Sequence, residues 1–195
     1  MPETRETRPR DTRRRMVVTT SKLLQKQGFH GTGLNQILAE ADAPKGSMYF
    51  HFPGGKNQLA AEAIAASGDF LDRVLTSHHG QSGLESIDAY LVEMAQWLER
   101  TEFREGCPIA TTALEVGATT PEIGDACNAA FEQLIGRLRG WLEADGFDAR
   151  TAHERATLTY AAIEGALTFA KAKRSREPLD RLRSQLPRLI GSPDA

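Results

Sequence analysis

Cysteine is scarce: Cys107 and Cys127 are the only two in 195 residues. Two isolated thiols exclude a disulfide framework and a thiolate-built metal site, and both are expected reduced and buried. Long apolar runs are also missing. No stretch approaches the roughly 20 residues that cross a bilayer, and no apolar segment of signal-peptide type follows the arginine-rich start. A cytoplasmic chain with no membrane partner is expected. Catalytic signatures are absent from the carboxy-terminal part, which has no paired carboxylates, nucleophile motif, phosphate-binding loop or metal-ligand spacing. Neither enzyme activity nor a cofactor is expected. The pair His78 and His79, within HHGQSG, has no carboxylate or cysteine at ligand spacing and reads as part of a solvated loop.

Charge is unevenly placed. Residues 1–56 carry ten Lys/Arg against five Asp/Glu, and residues 57–195 carry fourteen against twenty-one, so the net of −2 divides into +5 and −7. A polyanion is drawn to the amino-terminal part and repelled by the rest, which gives orientation as well as affinity.

The stretch TGLNQILAEADAPKGSMYFHFPGGK, residues 32–56, reads as helix, tight break and helix. Thr32 is placed to cap the first helix, and Leu34, Ile37, Leu38 and Ala41 recur at the spacing of one buried face. Pro44 disfavours helical geometry at Ala43 and suits the first turn of a new helix, so a second helix is predicted to start near it. Met48 and Phe52 share the inward face. Lys45, Gly46, Ser47, Tyr49, Phe50 and His51 are then left outward, the layout in which the start of a second helix enters a DNA major groove.

These residues carry a resemblance. The run PKGSMYFHFPGGK, preceded by TGLNQILAEAD, resembles the recognition element of TetR-type transcriptional regulators, and PKGS followed by FPGGK is similar to the LmrA/YxaF-like branch. The resemblance implies an all-α fold of about nine helices. Residues 1–55 would form a three-helix DNA-binding domain with a disordered arm from Met1 to about Arg10, and residues 56–195 a larger ligand-binding and dimerisation domain. The candidate DNA-binding residues are Thr32, Lys45, Gly46, Ser47, Tyr49, Phe50, His51 and Lys56. Tyr49 is assigned to phosphate, as is Lys56, whose family counterpart contacts the DNA backbone. Lys45, Gly46 and Ser47 stand at the front of the recognition helix, and Phe50 and His51 lie at or beside base edges.

In chain order, a first helix opens at Arg13 to Arg15, buries Met16, Val17, Thr20, Leu23 and Leu24, and ends at Gly28. Helices follow over Lys56 to Ser77, Leu84 to about Glu102, Ile109 to Val116, Pro121 to Ala144, Asp148 to about Lys173, and Pro178 to about Ile190, where Pro187 is expected to kink or shorten the last. The middle of the Asp148 helix, LTYAAIEGALTFA, is apolar nearly all round and must be covered on several sides. Ala161, Ala162, Gly165 and Ala166 permit close approach of another helix, and Leu179, Leu182 and Leu186 form a stripe. Spare apolar surface on two terminal helices implies self-association, and in TetR-type proteins this pair makes the four-helix interface of a homodimer.

Candidate lining for a ligand cavity comprises Met94, Trp97, Leu98, Phe103, Cys107, Ile109, Leu114, Phe131, Ile135, Tyr160, Ile163 and Leu167. A GCP followed by a small-residue helix also lies near the cavity in the LmrA/YxaF-like branch. Few charges among these residues point to a hydrophobic small-molecule effector. The expected function is a homodimeric repressor, released from a palindromic double-stranded DNA operator by that effector. A structural DNA-binding protein without a ligand and an enzyme with an appended DNA-binding domain are the competing classes.

Overall fold

The computed structural model describes residues 7–77, 80 and 82–193, and every regular element among them is helical. Nine α-helices run in order: α1 Thr7–Gly31, α2 Leu34–Glu40, α3 Ser47–His51, α4 Gly55–Ser77, α5 Gly83–Arg100, α6 Pro108–Thr112, α7 Pro121–Ala144, α8 Ala149–Lys173 and α9 Glu177–Ile190. A π-helical turn, Ala113–Gly117, follows α6 directly. The expected disordered arm is helical from Thr7, and its first six residues lie outside the described ones, as do His78, His79 and Gln81 of the expected polar loop.

The chain falls into two compact units. The first joins the described part of Met1–Ser67 to Pro108–Ala130, and the second joins Gly68–Cys107 to the described part of Phe131–Ala195. The division expected at residues 55 and 56 follows the helix-turn-helix. Packing follows another line, because α6 and the π-helical turn lie against α1.

In the first unit Met16, Leu23, Ile37, Leu38, Ala41, Met48, Phe52 and Leu59 form one buried cluster. Each large side chain removed from water contributes about 1.5–3 kcal/mol, so α1, α2, α3 and the start of α4 are held by the apolar face that their spacing predicts. The helical path of α1 breaks at Gly28, whose φ of 72° is left-handed. With ψ at −176° that backbone conformation is one that L side chains rarely adopt, and a Cβ there would also run into the Glu115 carboxylate.

The second unit is built on α5, α8 and α9. Ile87, Leu91, Met94 and Leu98 of α5 are buried, as are Tyr160, Ile163 and Leu167 of α8 and Leu179, Leu186 and Ile190 of α9. Arg183 of α9 donates to both Asp88 carboxylate oxygens at 2.8 Å. Asp148 caps α8 by accepting from the Arg150 and Thr151 N–H groups at 3.0 and 3.1 Å. Pro187 lies inside α9, and the helix continues to Ile190 before Gly191 stops it at φ 75°. Among the described residues no helix is long and apolar enough to cross a membrane.

Candidate nucleic-acid interface

The break between α2 and α3 is closed by backbone bonds. Ala43 N–H donates to Leu38 O at 2.9 Å, and Ser47 N–H donates to Pro44 O at 2.8 Å. Pro44 therefore opens a turn, and α3 begins three residues later than the sequence predicts. Asp42 takes a φ of 47°, a left-handed geometry that Asp tolerates better than most residues. From α1, Arg15 donates through Nε to Ala41 O at 2.8 Å and through a terminal nitrogen to Asp42 O at 2.9 Å. A cation thus covers the carbonyls that the end of α2 leaves free.

The short α3 is anchored by Met48 and Phe52, both buried, and turns Tyr49 (67% exposed) and Phe50 (75% exposed) to solvent. Lys45 and Gly46 are exposed, and Ser47 and His51 are half-buried. Nothing lies within 4 Å of where a Gly46 Cβ would stand. Phe50 meets His51 edge-on at 4.8 Å. Partial burial, and secondarily the Arg13 guanidinium, lowers the His51 pKa from 6.5. The imidazole is thereby neutral at neutral pH, offering one donor and one acceptor.

Two of the candidates are turned inward. Thr32 is fully buried, and its hydroxyl donates to Gly28 O at 2.6 Å. Gly33 occupies the N-cap of α2 without a side-chain bond, so Thr32 does not cap that helix. Lys56 Nζ donates to Phe29 O at 2.7 Å and stands 4.0 Å above the Phe29 ring. Desolvation lowers its pKa, while the Glu115 carboxylate raises it. The additional glycine of FPGGK is Gly55, which opens α4 at φ 69°. Gln58 Oε1 accepts from Gly54 N–H at 2.9 Å, one turn back. Arg15, Gln58 and Glu115 are thus parts of this site that the motif alone does not reveal.

Residues 17–63 match the family described as bacterial regulatory proteins, tetR family, and residues 83–185 match the transcriptional regulator LmrA/YxaF-like C-terminal domain. The HTH-type transcriptional regulator LmrA of Bacillus subtilis is 33% identical over 182 residues, 92% of this chain and 97% of LmrA. The chain belongs to the TetR family. It is a DNA-binding transcriptional regulator of the LmrA/YxaF-like branch. The HTH-type transcriptional repressor NemR of Escherichia coli is 26% identical over 195 residues, and its reduced-form crystal structure superposes with a TM-score of 0.77, covering 94% of this chain and 100% of NemR. A TetR transcriptional regulator from Legionella pneumophila shares the fold, with a TM-score of 0.79, 22% identity, and coverage of 91% and 96%.

In this TetR-family chain the candidate cavity residues separate. Met94, Leu98, Tyr160, Ile163 and Leu167 are buried in the second unit, where Trp97, Phe103, Cys107, Phe131 and Ile135 are half-buried. Ile109 is buried in the first unit. Leu114, also in the first unit, is 89% exposed, since it lies five residues from Ile109 and two from Val116, off the helical face that those two buried residues share. Phe103 takes a φ of 58° and borders an open cleft of about 780 Å³ with Glu99, Glu102, Arg104, Lys171 and Arg174. Burial raises the Cys127 thiol to about 11.

Among the candidate interface residues, Ala166, Leu179 and Leu186 are buried within the chain, Ala162, Gly165 and Leu182 are half-buried, and Ala161 is exposed. The apolar face of α8 that remains open adds Leu158 (54% exposed) and Phe169 (62% exposed) to Ala161. Those positions follow the three- and four-residue spacing of one helix face.

Proposed function

We propose that the chain is a homodimeric repressor that binds a palindromic operator and is released by a hydrophobic small molecule. The observation that carries this reading is the presentation of Tyr49 and Phe50 on a five-residue helix anchored by Met48 and Phe52, with Lys45 exposed in the turn that leads into it. Tyr49 reaches a phosphate with its hydroxyl, Phe50 touches a thymine methyl, and the bare Gly46 lets the backbone approach the groove. Lys56 supplies a second phosphate contact if its ammonium leaves the Phe29 carbonyl when DNA arrives. Thr32 contributes by fixing the entry to α2.

One short helix reads too few base pairs for specificity, and two copies set about 34–36 Å apart read a palindrome. The open face of α8, with Leu158, Ala161 and Phe169, supports a second copy as its occupant, joined there by the half-buried Leu182 of α9. NemR, a named repressor, supports the sign of regulation. DNA binding is assigned to residues 1–55 with Lys56 just beyond them, and effector binding and dimerisation to the remainder of residues 56–195, in a cytoplasmic protein. An effector that prefers the dimer spacing unsuited to DNA shifts the population away from the operator, and about 1.4 kcal/mol of differential affinity suffices for a tenfold loss. Gel shifts with the DNA flanking the chain's own gene test the proposal. A sequence-preferring, salt-sensitive complex is expected, and its absence contradicts the reading.

A further inference from the structure

The second unit gathers four titratable side chains that DNA binding does not use. Tyr90 comes from α5, Cys107 from the segment ahead of α6, and Tyr160 and Glu164 stand one turn apart on α8. Both tyrosines are buried. The Cys107 thiol and the Tyr160 hydroxyl act on the Glu164 carboxyl, and Tyr90 is affected by Glu164 and Cys107. Even so, the Tyr160 hydroxyl is buried without a well-aligned hydrogen bond. A hydroxyl left in that state forgoes about 1–3 kcal/mol.

Glu164 is the odd member, a carboxylic acid in the middle of an apolar helix. Part of the residue's surface remains exposed, yet desolvation dominates its carboxyl and raises the pKa, and none of the groups acting on it is a lysine, arginine or histidine. Among the described residues its partners are the Cys107 thiol and the Tyr160 hydroxyl, neutral donors with no cation beside them. Aromatic surface adjoins it, with Phe131 edge-on to Tyr160 at 6.1 Å. Perturbed ionisable groups collected in this way mark binding sites more often than ordinary surface.

We propose that Glu164 and Tyr160 receive the charged nitrogen of the effector, which is therefore a lipophilic amine or related organic cation on an apolar or aromatic frame. This rests on reading the second unit as the effector-binding part. A protonated nitrogen supplies N–H donors to the carboxylate and to the unfilled phenol oxygen, and its charge is attracted to aromatic faces. An anionic compound meets the ionised Glu164 as a like charge, and a neutral one adds no opposite charge to the neutral donors that the carboxyl already has.

Calorimetric titration of the full-length protein with phenylbutylamine, phenylbutanol and phenylbutyrate, three charges on one frame, tests this near neutral pH. The amine is expected to bind about tenfold or more tighter than the other two. Glu164→Gln removes that preference while melting no lower than the parent protein, and Tyr160→Phe reduces it in part. Equal binding of amine and alcohol, or a preference that survives Glu164→Gln, overturns the charge assignment and leaves the effector-binding reading standing. Binding of none of the three overturns both.

Discussion

The Glu115 carboxylate accepts a hydrogen bond from the backbone N–H of Phe29 at 2.6 Å. The same oxygen accepts from His30 N–H at 3.0 Å, and Lys56 holds the Phe29 carbonyl from the other side. The break at Gly28 frees these backbone groups from the α1 ladder, and two side chains of opposite charge take them up. Glu115→Ala is expected to lower stability by roughly 1–3 kcal/mol, measured by urea unfolding at neutral pH. Gly28→Ala meets both the positive φ and the Glu115 carboxylate, and is expected to be at least as damaging. A stability unchanged in both variants contradicts this role.

On the DNA face, charge and hydroxyl contacts have different signatures. Lys45→Ala is expected to reduce the slope of log affinity against log salt by about 0.9, the release of one counterion. Tyr49→Phe leaves that slope alone and weakens binding by about 1 kcal/mol, the net value of one hydrogen bond. Fluorescence anisotropy across a salt series separates the two. A slope unaltered by Lys45→Ala places that ammonium away from phosphate.

Glu164 gives stability a pH dependence of known sign. Its folded pKa lies above the ordinary 4.5, so the folded chain holds the proton to higher pH than the unfolded chain. The stabilising contribution is complete below the unfolded pKa and is lost as pH rises through the raised folded value. Glu164→Gln is expected to flatten this decline and to match or exceed the parent's melting temperature at neutral pH. Thermal melts from about pH 4 to 8 measure it, and an unchanged profile contradicts the assignment.

The open face of α8 yields a direct test of self-association. Phe169→Glu places a charge beside Leu158 and Ala161, where burial against a second copy leaves it unpaired. Sedimentation is expected to show a monomer with unaltered helical content. A tight dimer from this variant places the interface elsewhere.

Much of the helical order was legible because apolar spacing reports which face must be covered. Ile37, Met48 and Phe52 sit in the core where their periods put them. Periodicity does not say what covers a face, and so Ala166, Leu179 and Leu186, which read as surface for a second copy, are covered by their own chain. Leu114 is apolar and reads as lining, yet it stands off the face that Ile109 and Val116 share and is exposed. Thr32 has the chemistry of a cap, but its hydroxyl bonds backwards to Gly28 and leaves the cap to Gly33. Glu115 lies 86 residues from Phe29, and no local pattern links them. Glu164 did carry a signal, since an acid inside LTYAAIEGALTFA is the one charged residue in an apolar run.

Stoichiometric titration of the purified protein onto the duplex flanking its gene, read by anisotropy with a scrambled duplex of equal length alongside, bears most directly on a helix-turn-helix regulator acting as a pair. The expected result is saturation at an even number of chains per duplex, with tighter binding to the native duplex and loss of that preference in a Tyr49→Phe, Lys45→Ala double variant. Equal affinity for native and scrambled duplexes, or saturation at one chain per duplex, contradicts it.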